Sequence, residues 1–67
     1  MEIQGRYTKN ENFIMVYTED TLYTIARNTG EWGSRKIGEL TATGHLLDRE
    51  TFEKLKAECS KEGTFEI

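Results

Sequence analysis

Residues 13–18 have the sequence FIMVYT and residues 22–27 have the sequence LYTIAR, with the polar tip Glu19-Asp20 between them. Aromatic and β-branched residues in such runs favour extended strands. Two runs of this kind around a polar tip predict an antiparallel hairpin. We therefore take this stretch as the centre of the fold and place the rest of the chain around it.

The register of this hairpin decides which side chains share a face. A two-residue loop at the tip places Val16 opposite Tyr23 and Ile14 opposite Ile25. A longer loop is the alternative, because Glu-Asp lacks the glycine of a good two-residue turn, and a slip by one residue would reassign every side chain. With the short loop both faces are apolar, and the second face carries Phe13, Met15, Tyr17 and Leu22.

Upstream of the hairpin, residues 1–8 predict a strand that carries Ile3 and Tyr7, with Gly5 allowing a bend or a bulge. Residues 9–12 form a polar turn. Downstream, Gly30 supplies the positive φ of a turn.

Residues 31–40 predict a weaker strand, interrupted by Gly33 and Gly38. The two glycines favour a bulge or a corner, which would curl a small sheet towards a half-barrel. Residues 41–45 are expected to be a connector.

The clearest single element is a helix that starts after Asp48. Asp48 is a good N-cap, and Leu47 before it and Phe52 after it form a hydrophobic staple. Leu55 and Cys59 continue the apolar face at helical spacing. We expect Gly63 to end this helix.

Residues 64–67 alternate polar and apolar side chains, which predicts a short last strand. The expected fold is α+β: a small, curled, half-barrel-like antiparallel sheet of about four strands, then one packed helix and a short C-terminal strand. We expect residues 1–67 to form a single domain. A chain of this length has a small core, so a homodimer is an alternative source of stability.

The charge pattern excludes several functional classes. The formal net charge is -3, and the longest runs of like charge are only pairs. This argues against a polybasic nucleic-acid arm and against a disordered acidic tail. With no apolar leader, no membrane-length apolar run and one unpaired cysteine, the expected location is the cytoplasm, without a membrane partner.

Catalysis has little support in the sequence. Cys59 and His45 are the one thiol and the one imidazole, and they could form a nucleophile–base pair. No third orienting group is marked, and Cys59 lies on the apolar helix face, where cysteine behaves as a small hydrophobe. We expect no enzyme activity, no catalytic residue and no cofactor.

A metal site is not expected either. Glu19 and Asp20 are adjacent carboxylates, but hard cations need several converging oxygens. The pair is more typical of a solvated turn, and its projecting position also suits a contact point with another protein.

Trp32, Arg35 and Lys36 form the most informative group of polar and aromatic residues. An aromatic ring beside basic side chains on a sheet can bind single-stranded nucleic acid by stacking and phosphate pairing. The competing interpretation is that Trp32 packs in the core and the two cations are ordinary solvated charges. The net negative charge of the chain favours the second interpretation.

The expected function is that of a small, non-catalytic protein-binding regulator or inhibitor of a larger protein or complex. This profile is typical of phage-encoded proteins that block a host defence or transcription machine. The alternative is a nucleic-acid-binding module that uses an aromatic and basic sheet surface. The residues expected to contact the partner protein are Tyr17, Glu19, Asp20, Tyr23, Trp32, Arg35 and Lys36.

Overall fold

The computed structural model describes residues 1–40 and 44–67. It contains one five-stranded antiparallel sheet and one helix between the fourth and fifth strands, which confirms the predicted α+β fold. In chain order the elements are β1 (Glu2–Lys9), β2 (Phe13–Tyr17), β3 (Thr21–Ala26), β4 (Trp32–Lys36), α1 (Arg49–Glu58) and β5 (Lys61–Glu66). Residues 41–43 of the predicted connector lie outside the described part of the chain.

The strand order in the sheet is β4-β3-β2-β1-β5. The central hairpin has the predicted short-loop register, with Val16 opposite Tyr23 and Ile14 opposite Ile25. The Thr18 amide donates to the Thr21 carbonyl across the tip at 3.0 Å. Because strand side chains alternate between faces, this register also fixes the faces of the neighbouring strands.

The strand β1 curls the sheet. Its first residues pair with β5 alone, its last residues pair with β2 alone, and Arg6 and Tyr7 pair with both. A Cβ atom at Gly5 would collide with the Tyr17 carbonyl oxygen. The close approach of β1 to the end of β2 therefore requires glycine, although the pairing continues through Gly5 in register and without the predicted bulge.

The two glycines of the predicted fourth strand behave differently. Gly33 pairs with Thr24 in a regular ladder, so no bulge forms there. Gly38 has a φ of 96° and lies in the turn that ends β4. The strand is consequently shorter than predicted and stops at Lys36.

The helix α1 begins as predicted. The Asp48 carboxylate accepts a hydrogen bond from the Thr51 amide at 2.6 Å, and Leu47 and Phe52 are buried in one cluster. This cluster also contains Tyr17 and Cys59, so the helix packs against one face of the sheet. We call this the helix face.

The predicted end of the helix at Gly63 is wrong. The helix ends at Cys59, whose backbone is extended and whose amide donates to the Lys56 carbonyl. A C-terminal residue in this conformation does not need a glycine. Gly63 lies inside β5 opposite Gly5, and a Cβ atom there would stand 3.0 Å from the Tyr7 ring.

The end of the helix is tied to the sheet by Arg6. Its guanidinium donates to the Cys59 carbonyl at 3.3 Å and lies 3.8 Å from the Glu62 carboxylate. A cation is favourable at a helix C-terminus, where carbonyl groups lack intrahelical donors. This one side chain therefore joins β1, the end of α1 and the start of β5.

We predict that Phe52→Ala is more destabilising than Leu55→Ala. Phe52 has no exposed surface, whereas Leu55 is half-buried at the edge of the same cluster. Removing a buried phenylalanine side chain costs about 3–5 kcal/mol. Urea unfolding followed by circular dichroism measures both variants. An equal or larger loss for Leu55→Ala would contradict this packing.

We predict that the Asp48 cap makes stability depend on acid pH. Its hydrogen bonds with Thr51 lower the pKa of Asp48 in the folded protein. The contribution is complete above the ordinary aspartate pKa of about 3.9 and is lost as the pH falls through the lower folded value. Asp48→Asn keeps a capping oxygen that does not titrate. Urea midpoints between about pH 2 and pH 5 should fall less steeply in this variant; equal slopes would contradict the prediction.

Candidate functional site

The side of the sheet away from the helix carries a second apolar cluster, which no helix covers among the described residues. Its buried members are Ile3, Val16 and Ile25. Strand alternation and the observed registers give the full set of strand residues on this side, which we call the open face. They are Ile3, Gly5, Tyr7, Lys9, Ile14, Val16, Thr21, Tyr23, Ile25, Trp32, Ser34, Lys36, Lys61, Gly63 and Phe65.

Val16 is 0% exposed although it lies on the open face. Its cover comes from neighbouring side chains of the same face. Tyr7 and Phe65 meet edge to face with ring centroids 5.0 Å apart, and Tyr23 and Trp32 lie 5.7 Å apart in a tilted arrangement. Tyr7, Tyr23 and Phe65 pack against the cluster that contains Val16, so the open face is partly a core and partly a surface.

Trp32 is the most exposed ring of this face, with 44% of its surface accessible. It lies on the edge strand β4, packed on one side against Tyr23. Trp32 was predicted to be either a core residue or a surface residue, and it is partly both. A large aromatic ring that is both held and exposed is suited to enter a pocket of a partner protein.

Charge on the open face has one sign. Of the strand residues assigned to it, Lys9, Lys36 and Lys61 carry charge, and none is Asp or Glu. This contrasts with the net charge of -3 for the whole chain. An apolar centre with a cationic border is complementary to an acidic partner surface.

The group Trp32, Arg35 and Lys36 is divided by the alternation of β4. Lys36 shares the open face with Trp32, whereas Arg35 lies on the helix face opposite Leu22. The Arg35 guanidinium donates to the Ser34 carbonyl at 2.9 Å, at the edge of the sheet. Trp32 and Arg35 thus cannot hold one ligand on the same face.

Tyr17 and Tyr23 lie on opposite faces. Tyr23 belongs to the open face and is half-buried. Tyr17 is only 4% exposed and meets Phe52 edge to face at 5.6 Å, so it is a core residue and is excluded from the candidate surface. Burial, followed by the nearby Cys59 and Glu58, raises the pKa of the Tyr17 hydroxyl.

Glu19 and Asp20 are exposed at the tip between β2 and β3. The Asp20 carboxylate accepts a hydrogen bond from the Thr21 hydroxyl at 2.9 Å, and its carbonyl accepts from the Ile37 amide. Asp20 therefore stabilises the turn and joins it to the end of β4, while Glu19 projects into solvent.

Cys59 is buried, and its thiol donates to the Leu55 carbonyl at 3.4 Å. Burial raises the pKa of this thiol, which keeps it in the protonated form that is a poor nucleophile. His45 is an exposed residue before the helix. Within residues 1–40 and 44–67 no group of three or more His, Cys, Asp or Glu side chains could hold a metal ion.

Lys9 and Thr21 lie on the open face just beyond the ends of the predicted strands. Two further contributors to this face were also missed from the sequence, Lys61 and Gly63. Both were assigned to the helix, because Gly63 resembled a stop signal. The signal that could have placed them is the alternation of Lys61, Gly63 and Phe65, which has the period of a strand and starts immediately after Ser60.

No family model, curated protein or solved structure shows significant similarity to this chain. In the described part of the chain, no helix is both long and apolar enough to cross a membrane.

Proposed function

We propose that this chain is a small, non-catalytic protein-binding module that regulates or inhibits a larger protein or complex. The open face is the contact surface, with Tyr23 and Trp32 as its aromatic centre. The partner presents an apolar pocket bordered by acidic groups. The free thiol of Cys59 suits a reducing compartment, so we place this activity in the cytoplasm.

The observation that carries the proposal is the partial exposure of Trp32 on a face that a monomer does not cover completely. Tryptophan and tyrosine contribute strongly to protein interfaces when they become fully desolvated. Trp32 is already oriented by its contact with Tyr23, so little side-chain freedom is lost on binding. The lysines of the same face supply attraction to an acidic border.

The state of the reactive groups supports a non-catalytic action. The Cys59 thiol is buried and protonated, and Tyr17 is in the core. Glu19 and Asp20 belong to a turn. A protein with this arrangement can act by occupying a surface of its partner.

We predict that Trp32→Ala abolishes capture of the partner while the fold is retained. The protein, immobilised through its N-terminus, is exposed to extract from its native host, and bound proteins are identified by mass spectrometry. Lys54→Ala, an exposed change on the helix, is the matched control. A partner recovered by wild type and by Lys54→Ala but not by Trp32→Ala supports the proposal.

The kinetics with that partner provide a sharper measurement. Losing the Trp32 ring, which the complex would bury, should raise the dissociation rate by about thirtyfold or more, since a binding hot spot contributes at least about 2 kcal/mol. Lys36→Glu should mainly slow association and reverse the effect of added salt. Unchanged dissociation for Trp32→Ala would place the contact elsewhere on the molecule.

A nucleic-acid-binding module is the second candidate, because the open face combines aromatic rings with lysines and lacks carboxylates at its strand positions. Three lysines are few for this purpose. Since each neutralised phosphate contributes to the salt dependence, they predict weak binding with a shallow salt slope.

We predict that labelled single-stranded or duplex oligonucleotides bind more weakly than about 1 µM at about 0.15 M salt. Fluorescence anisotropy measures this affinity, and Trp32→Ala serves as the control for stacking. Tighter binding that Trp32→Ala weakens would favour the nucleic-acid function over the protein-binding one.

A further inference from the structure

Within residues 1–40 and 44–67, the outer edge of β4 presents backbone groups that pair with no other strand, in a definite pattern. The Ala26 amide donates to the Glu31 carbonyl at 2.8 Å, and the Ile37 amide donates to the Asp20 carbonyl at 3.0 Å. In an antiparallel ladder the hydrogen-bonding direction alternates along each strand. Glu31 and Ile37 therefore face β3, and the intervening Trp32, Ser34 and Lys36 direct their amide and carbonyl groups outwards.

The other edge of the sheet is protected against pairing. The Ile67 amide donates to the Met1 carbonyl at 2.7 Å, and by the same alternation Glu62, Thr64 and Glu66 direct their backbone groups outwards on β5. In a twofold pairing of β5 strands about Thr64, Glu62 of each copy would lie directly opposite Glu66 of the other, and like charges in that position are destabilising. Edge pairing should therefore occur at β4.

We infer that two copies of the chain associate by antiparallel pairing of their β4 strands, with the twofold axis at Ser34. Ser34 of one copy then exchanges both backbone hydrogen bonds with Ser34 of the second copy. Trp32 pairs in the same way with Lys36 of the second copy. The outward-facing groups of β4 fit this register without a shift, because residues 32, 34 and 36 are symmetric about Ser34.

The side chains of β4 are self-complementary in this register, as a twofold interface requires. On the open face, the Lys36 ammonium of one copy lies beside the exposed Trp32 ring of the other, a favourable cation–π arrangement. On the helix face, Arg35 lies opposite Gly33 of the second copy. Gly33 has open space around its Cα, so Arg35 can extend past it.

Beyond Gly33, the diagonal neighbour of Arg35 in the second copy is Glu31. Diagonal pairs on one face are within reach of long side chains. Glu31 and Arg35 are both exposed in the single chain. Association would thus form two symmetry-related ion pairs, one at each end of the paired strands.

In the single chain, one outward-facing acceptor of this edge already has a hydrogen-bond donor. The Arg35 guanidinium donates to the Ser34 carbonyl, which is one of the outward-facing acceptors. In the pair of strands that carbonyl accepts instead from the Ser34 amide of the second copy, and Arg35 is released towards Glu31. The exchange keeps the acceptor paired in both states.

This association extends the proposed function without depending on it. Residues opposite each other in the pairing lie on the same face, so both helices remain on one side and the two open faces join on the other. Two five-stranded sheets become one continuous sheet. Association can therefore be tested on the isolated protein, with no partner present.

The test compares proline substitutions at the two edges by sedimentation velocity over a range of protein concentrations. Ser34→Pro removes an outward-facing amide of β4 and leaves the β3–β4 ladder intact, and Thr64→Pro is the matched change on β5. We expect wild type and Thr64→Pro to dimerise. Ser34→Pro should raise the dimer dissociation constant by about tenfold or more, because two backbone hydrogen bonds are lost.

Exchanging the charges at positions 31 and 35 tests the same pairing without altering the backbone, and it applies even if the proline variant does not fold. Glu31→Arg and Arg35→Glu should each weaken dimerisation, and the double variant Glu31→Arg/Arg35→Glu should restore it. A wild-type chain that stays monomeric up to its solubility limit would overturn the inference. So would loss of association in Thr64→Pro, open-ended growth of oligomers, or a double variant as weak as the singles.

Discussion

The rest of the structure depends on the burial of one strand, β2, on both of its faces, although the described residues contain one helix and this helix covers one face. Val16 and Tyr17 are adjacent, so their side chains point to opposite sides of the sheet, and both are buried. The helix covers Tyr17 through Phe52. Val16 is packed among side chains of the open face, including Tyr7, Tyr23 and Phe65. The absence of a Cβ at Gly63 leaves room for the Tyr7 and Phe65 rings there, and Gly5 allows β1 to approach the backbone of Tyr17.

The side chains that cover the centre of the open face also form part of its accessible surface. The rings that cover Val16 cannot be fully buried, because nothing in the described chain lies above them. A small domain gains much of its stability from such partly exposed apolar residues, since it has little interior. The same side chains therefore stabilise the monomer and form its most apolar accessible surface. Substitutions at Tyr7 or Phe65 would change both the stability of the monomer and its apolar surface. A substitution at Trp32, which lies at the edge of the sheet, would change mainly the surface.

Much of the fold followed from local patterns in the sequence. The hairpin register and the start of the helix were predicted because a short tip and an Asp48 cap have strong local signals. The end of the helix was predicted wrongly. A glycine after a helix is a common local stop signal, but Gly63 is required by tertiary packing, where it leaves space for the Tyr7 ring. The candidate surface was partly predicted: Tyr23 and Trp32 lie on the open face, but Tyr17 is buried, since alternation along β2 sends it to the helix.

The two edges of the sheet differ in charge and in how firmly they are held. β5 carries the carboxylates of Glu62 and Glu66, which pair with Arg6 and the N-terminus, and Arg6 also joins it to the end of the helix. β4 is exposed along its whole length, and on its outer edge the Arg35 guanidinium donates to the Ser34 carbonyl. An exposed guanidinium can leave a carbonyl at little cost, because water and other acceptors replace the bond. The edge that is easiest to open thus lies beside the ring that is most accessible, so a partner strand and a partner pocket would meet the molecule at the same place.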